Sequence, residues 1–225
     1  QVQDAFLMEA LWTRFLPVFD DVRRCLRNGA IGPPQIVMAD IGAPTPFDPD
    51  HRLYAPHLGG GALLDLGIYP LFLIVETLGM PDDFVSTVTW ADTGVDAQCS
   101  GVLRYESGPS AGAHGVWTAS LRADAGRTCA IAGPNGRLEG ARSWWKGAPF
   151  TLTRSDGSTE TLARPYEGNG YQFEAAHVMR CLREGRTESP DWPLDASLDL
   201  LRLLDAHRAH WGLTYPNEAD ASPGR

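Results

Sequence analysis

The stretch GGGALLDLGIYPL, residues 59 to 71, decides the reading of this chain. Three glycines run into an apolar segment whose only proton-moving groups are Asp65 and Tyr69, four positions apart. On a helix, residues at i and i+4 share a face one turn apart. The spacing predicts a buried helix, ending near Gly79, that turns a carboxylate and a phenol toward one spot. It follows a loop, at Gly60 and Gly61, open enough for a ligand to approach. Each residue also has a plainer use. An acid early in a helix commonly bonds backbone N–H groups, and a tyrosine commonly fills core with its hydroxyl satisfied.

Upstream, residues 13 to 29 read as an amphipathic helix, because Phe15, Val18, Phe19, Val22 and Leu26 recur at helical spacing and Pro17 stays in the first turns. QIVMADIG at 35 to 42 is β-rich, and a Pro-rich loop from 43 to 58 carries His51, Arg52 and His57. The first residues read as the end of a helix, QVQDAF, followed by a strand-like LMEALW with Glu9 at its end. That strand has no partner nearby, so its sheet is expected upstream of residue 1. The chain opens on Gln1 rather than Met and is expected to be a piece of a longer protein.

Downstream the period changes. β-rich runs at 84–91, 97–106, 110–121, 127–133, 136–142, 149–154 and 160–165 follow one another through short turns, with no room for crossover helices. Two helices then close the chain: 171–184, with Ala175, Val178, Met179 and Leu182 inward, and 196–211, with Leu200, Leu204, His207 and Trp211 inward and Asp195 as N-cap. The fold class expected is α+β, a large open and mostly antiparallel sheet with helices on one face. The run 110–121 is small or apolar on both sides, so the outer face is expected to meet a second copy, giving a homodimer.

A net charge of -9 and a pI near 5.1 exclude a basic field for nucleic acid or an anionic membrane surface. Of the 19 basic residues only Lys146 is lysine. Cys25, Cys99, Cys129 and Cys181 form no CxxC pair, which points to reduced thiols of a cytoplasmic protein and spells no metal site. Glu174 and His177 have the i, i+3 spacing of some metal bundles but no partner ligands in the sequence pattern. The longest apolar run, Leu66 to Val75, is shorter than the ~20 residues of a membrane span.

The order of motifs resembles the C-terminal domain of Gfo/Idh/MocA oxidoreductases, in the branch of dimeric dihydrodiol and D-xylose dehydrogenases. The resemblance rests on FLMEALWTRFLP at 6–17, RNGAIG at 27–32, GGGALLDLGIYPL at 59–71, IAGPNGRLE at 131–139, SWWKGAPFTL at 143–152 and the segment from 171 onward. It implies residues 1 to 12 as the remnant of an N-terminal Rossmann domain, 13 to 216 as the substrate and oligomerisation domain, and 217 to 225 as a frayed tail. It further implies NAD(P)-dependent oxidation of CH–OH groups of sugars or trans-dihydrodiols, with Tyr69 and Asp65 catalytic and Trp12, Arg14, Gly60 and Gly61 near substrate or cofactor. NADP or NAD would be bound mainly by the missing domain, leaving the fragment alone inactive. The family's GxGxxG and EKP motifs are not spelled; GPNGRLEG at 133–140 has the wrong spacing. A reading of a different class, from the residues alone, is a stand-alone dimerisation or ligand-binding module.

Overall fold

Pro17 sets the first helix. It stands at the first helical position, where its missing N–H costs nothing, and α1 (Pro17–Arg27) buries Val18, Phe19 and Val22. The computed structural model describes residues 5–219, so most of QVQDAF lies outside the described residues. LMEALW is not a strand. It runs irregularly, tied by the Leu7 N–H to the Thr187 carbonyl, and passes into a 3₁₀ turn at Trp12–Phe15. The expected helix from 13 is therefore two pieces, because Pro17 cannot supply the N–H that would continue the preceding turn.

Next come β1 (Ile36–Gly42) and α2 (Ile68–Leu78), followed by the strand series β2 (Asp83–Trp90), β3 (Asp96–Arg104), β4 (His114–Ser120), β5 (Cys129–Gly133), β6 (Gly136–Gly140), β7 (Phe150–Arg154) and β8 (Thr159–Leu162). They form one eight-stranded sheet in the order β2-β3-β4-β1-β5-β6-β7-β8. Every neighbouring pair is antiparallel except β1 with β4, which run parallel, Ala39 opposite Trp117. The later strands follow one another as hairpins and meanders, as their short turns require, but β1 inserts between two of these groups and joins them.

α2, α3 (Tyr171–Arg183) and α4 (Leu194–Trp211) complete the main helices. α2 packs on β1 and β4, and its Leu71, Phe72, Leu73 and Ile74 are all essentially inaccessible. Gly115 on β4 makes room for that contact, since a Cβ there would lie 2.4 Å from Ile74. The opposite face of the sheet stays open, with Ile36, Met38, Val85 and Val116 exposed. The helical run Pro56–Leu78 has the length and apolarity of a membrane span, yet 56% of its most apolar window is buried in this core.

Two helix expectations are corrected. α3 buries His177 and Cys181, while Met179 and Leu182 face outward, because the ring of Phe15 occupies the side where His177 sits, 4.7 Å between centroids. Asp195 is not the cap of α4; it lies in the first turn behind Pro193, and the backbone N–H of Leu194 bonds to Glu188. The end of the chain also differs. Pro216–Ala219 form a short helix, α5, fastened by Glu218, which accepts from the Tyr215 N–H and pairs with Arg208.

Candidate active site

The helix carrying Asp65 and Tyr69 starts with a π-helical turn, Leu63–Gly67. Pro70 accounts for it. Its ring would press on the carbonyl four residues back and its nitrogen offers no proton, so widening the preceding turn relieves the clash. Asp96, at the start of β3, caps the turn from a distance: its Oδ2 accepts the Leu63 N–H at 2.6 Å. Asp96 is fully buried, and burial pushes its carboxyl up to about 6, opposed by that hydrogen bond.

Gly60 and Gly61 are packed, not open, while Gly59 before them is exposed. Gly61 has φ +124° and lies against Asp96, where a Cβ would come within 2.1 Å of Oδ1. Gly60 is buried, and its carbonyl accepts from the Tyr215 hydroxyl at 2.6 Å. Both backbones are thus occupied in holding the start of the helix.

Tyr69 and Asp65 have different partners. The Tyr69 oxygen accepts the indole N–H of Trp12 at 3.1 Å. Asp65 accepts from Arg52 of the preceding loop at 2.6 Å, an exposed pair. Burial raises the Tyr69 phenol above its ordinary value, the Trp12 N–H opposes this, and the charges of Asp65 and Glu174 add to the rise. Tyr69 is consequently a neutral proton donor within this chain alone, and only an added positive charge would make it a base near neutral pH.

Aromatic rings flank the half-buried phenol. Tyr171 meets Trp12 edge-on, 4.9 Å between centroids, and Trp145 stands 6.5 Å from the Tyr69 ring. Sequence reasoning did not single out Trp145 or Tyr171; the Trp144-Trp145 pair and the aromatic at the start of α3 were the available signals. Lys146 lies over the Trp145 ring, 5.7 Å from its centroid. Arg14 does not join Tyr69. Its Nε lies 3.3 Å from Glu76, seven residues further along the same helix, which also pairs with Arg23 at 3.3 Å. Glu9 fastens Trp192 through the indole N–H at 2.9 Å.

A second arrangement imitates a hydrolytic triad. Ser189 Oγ lies 2.7 Å from His177 Nε2, and Asp191 lies 3.2 Å from Nδ1. Ser189 is wholly buried and accepts the N–H groups of Asp191 and Trp192, so it closes a turn and offers no nucleophile.

Residues 19–139 match the family model for the GFO/IDH/MocA C-terminal domain. The chain belongs to the GFO/IDH/MocA family. It is 33% identical to trans-1,2-dihydrobenzene-1,2-diol dehydrogenase of Mus musculus over 96% of its own length and 65% of that protein's. It is 28% identical to D-xylose 1-dehydrogenase (NADP(+)) of Hypocrea jecorina, over 94% of this chain and 61% of the relative. The chain therefore spans somewhat less than two thirds of these curated relatives. Among solved structures, aldose-aldose oxidoreductase from Caulobacter crescentus superposes with a TM-score of 0.75 at 24% identity, covering 88% of this chain and 59% of that one. KijD10, a 3-ketoreductase from Actinomadura kijaniata solved with NADP and TDP-benzene, gives 0.76 at 23%, covering 92% and 62%. These likenesses establish the shared fold.

Proposed function

We propose that the chain is the substrate-binding part of an NAD(P)-dependent oxidoreductase acting on CH–OH groups of sugars or trans-dihydrodiols. Residues 13 to 216 supply the substrate wall, and residues 1 to 12 lead in from a nucleotide-binding domain. One observation carries the reading: the Trp12 N–H to Tyr69 hydrogen bond fixes a half-buried phenol beside aromatic rings. The identities of the family relatives, a dihydrodiol dehydrogenase and a xylose dehydrogenase, support the substrate class.

In this reading Tyr69 exchanges the proton of the reacting hydroxyl, as acid when a carbonyl is reduced and as base when a carbinol is oxidised. Trp12 holds the phenol oxygen in place, and Trp145 stands beside its ring. Asp65 acts on Tyr69 through its charge, not through a hydrogen bond. NADP or NAD, when bound, supplies or accepts the hydride. The sequence spells no glycine-rich strand-to-helix turn, and Arg14 is committed to Glu76, so the cofactor phosphates are assigned to the upstream domain. Gly60 and Gly61 support the site by seating the helix. The exposed apolar row of Ile36, Met38, Val85 and Val116 supports a homodimer through the open sheet face, and the four free cysteines suit a cytoplasmic protein.

The test uses the gene product containing this chain, assayed with NADP on D-xylose and trans-1,2-dihydrobenzene-1,2-diol. Tyr69→Phe is expected to lower kcat by roughly 10²- to 10⁴-fold. Unchanged turnover in that variant removes Tyr69 from the chemistry, and no turnover by the wild type on either substrate removes the reading itself. For the dimer, Met38→Glu is expected to yield monomers in sedimentation; an unchanged assembly would put the contact elsewhere.

A further inference from the structure

Three consecutive residues of the 3₁₀ turn at Trp12–Phe15 reach out to three different partners. Trp12 donates to the Tyr69 oxygen at 3.1 Å, and the buried Thr13 hydroxyl donates to the Trp145 carbonyl at 2.8 Å. Arg14 turns to Glu76, its Nε 3.3 Å from Oε2. Tyr69 and Glu76 both belong to α2 and are seven residues apart, which puts them on one helix face, two turns or roughly 10 Å apart along the axis. The turn is thus fastened to that face at two points. One hydrogen bond alone would let it pivot; a second anchor fixes its rotation and with it the direction of the Trp12 N–H.

Glu76 is the hub of the second anchor. Its Oε1 accepts from Arg23 Nη1 of α1 at 3.3 Å, and the same Nη1 donates to the Arg14 carbonyl, also at 3.3 Å. One carboxylate between two like charges therefore ties α1, the turn and α2 together. The Arg14, Arg23 and Glu76 side chains are each only 14% accessible, so solvent screens them little. Arg14 Nε is closed to solvent and has no hydrogen bond among the described residues, which leaves the Glu76 charge as its nearest compensation. Burial pulls the Arg14 guanidinium below its ordinary value, and Glu76 is the foremost influence opposing this. We propose that Glu76 is a positioning residue: by holding Arg14 and Arg23 together it aims the Trp12 N–H at Tyr69. This rests on the oxidoreductase reading and adds to it the residue that sets the geometry of the proton-moving group. Glu76 acts through Trp12, two helical turns from the chemistry.

The experiment uses the gene product containing this chain, with NADP and D-xylose or trans-1,2-dihydrobenzene-1,2-diol. Glu76→Gln keeps the shape and removes the charge; Glu76→Asp keeps the charge and draws it back from both guanidinia. Thermal melting establishes which variants are folded, and either one suffices. Each is expected to lower kcat by roughly 10- to 100-fold with KM little changed, the scale of a misplaced reacting group. In a Trp12→Phe background the same substitutions are expected to cost nothing further, because they act through the contact already removed. Asp20→Asn, which takes away the exposed partner of Arg23 at 2.6 Å, is expected to leave kcat unchanged. A pH profile adds a signature that lost stability would not give. Burial raises the Tyr69 phenol and the Trp12 N–H lowers it, while Asp65, paired with Arg52, and Tyr171 and Glu174 of α3 add to the rise. Lys146 lies over the neighbouring Trp145 ring, and Arg14 stands in the turn itself. All these groups and the charge at position 76 are retained in Glu76→Asp, so a weakened Trp12 contact moves the Tyr69 limb of kcat/KM to higher pH. Wild-type kcat in the folded variants, a loss undiminished in the Trp12→Phe background, or an unmoved limb overturns the proposal and leaves the oxidoreductase reading standing. If the wild type turns over neither substrate, the oxidoreductase reading fails and the role of Glu76 with it.

Discussion

At the glycine end of residues 59–71, Gly60 gives its carbonyl to Tyr215, Gly61 lies against Asp96, and Leu63 donates its N–H to the same carboxylate. At the tyrosine end, the phenol takes a single hydrogen bond from Trp12 and stands among rings contributed by segments far apart in sequence. The first end spends its polar groups on internal structure; the second leaves the Tyr69 hydroxyl proton without an internal acceptor among the described residues. Substitutions at the two ends should therefore separate, costing stability at the first and function at the second. The largest effect is expected at Gly61. A Cβ at φ +124° would meet Asp96 Oδ1 at 2.1 Å, and that carboxylate is held by its own bond to Leu63. Gly61→Ala is expected to cost roughly 3 to 5 kcal/mol in chemical denaturation. A loss below about 1 kcal/mol would mean that the helix start can shift, and the contrast between the ends would weaken.

Asp96 gives the same contrast a pH signature. Burial raises its carboxyl to about 6, so the folded chain holds a proton that the unfolded chain releases near its ordinary value of 3.8. Between these values the folded state binds more protons, and stability falls as pH rises through the window, by about 3 kcal/mol in all. His207 works the other way. Buried against Phe84 and Trp117, it is lowered to about 4, and stability rises with pH between there and its ordinary 6.5. The informative quantity is thus the difference between variant and wild type. Asp96→Asn, which still offers an oxygen to Leu63, is expected to remove one proton's worth of slope between pH 4 and about 6. Identical slopes in the two proteins would show that Asp96 is ionised throughout.

The sheet and the helix positions were largely legible, because each β-rich run was bounded by turn residues and the apolar spacing of α1 and α4 matched their buried faces. What escaped was non-local. No local pattern could place β1 between β4 and β5, and the apolar stripe of α3 at Ala175, Val178, Met179 and Leu182 was read as inward when Phe15 and Ser189 draw His177 in instead. The same limit applied at the candidate site. The i, i+4 spacing of Asp65 and Tyr69 was visible, but a spacing cannot report that Arg52 claims one and Trp12 the other. Likewise the glycines gave the correct signal of a close approach, and only the fold identified what approaches: the side chain of Asp96 rather than a ligand.

The smallest effect is expected at Arg52, where the two ends come closest to each other in purpose. Its pair with Asp65 is exposed on both sides, 65% and 30% of the side chains, so Arg52→Ala should change stability by no more than about 1 kcal/mol. Its effect on Tyr69 has a definite direction. The Asp65 charge raises the phenol, and Arg52 neutralises part of that charge at 2.6 Å. Removing the guanidinium leaves the carboxylate uncompensated, which makes the phenolate less favourable and moves the Tyr69 limb of the kcat/KM profile to higher pH. Screening should shrink the shift as salt rises, since the Debye length falls from about 10 Å at 0.1 M to about 3 Å at 1 M. A profile that does not move in low salt would show that Asp65 serves only the surface pair, and the acid nearest to Tyr69 in sequence would then have no part in its chemistry.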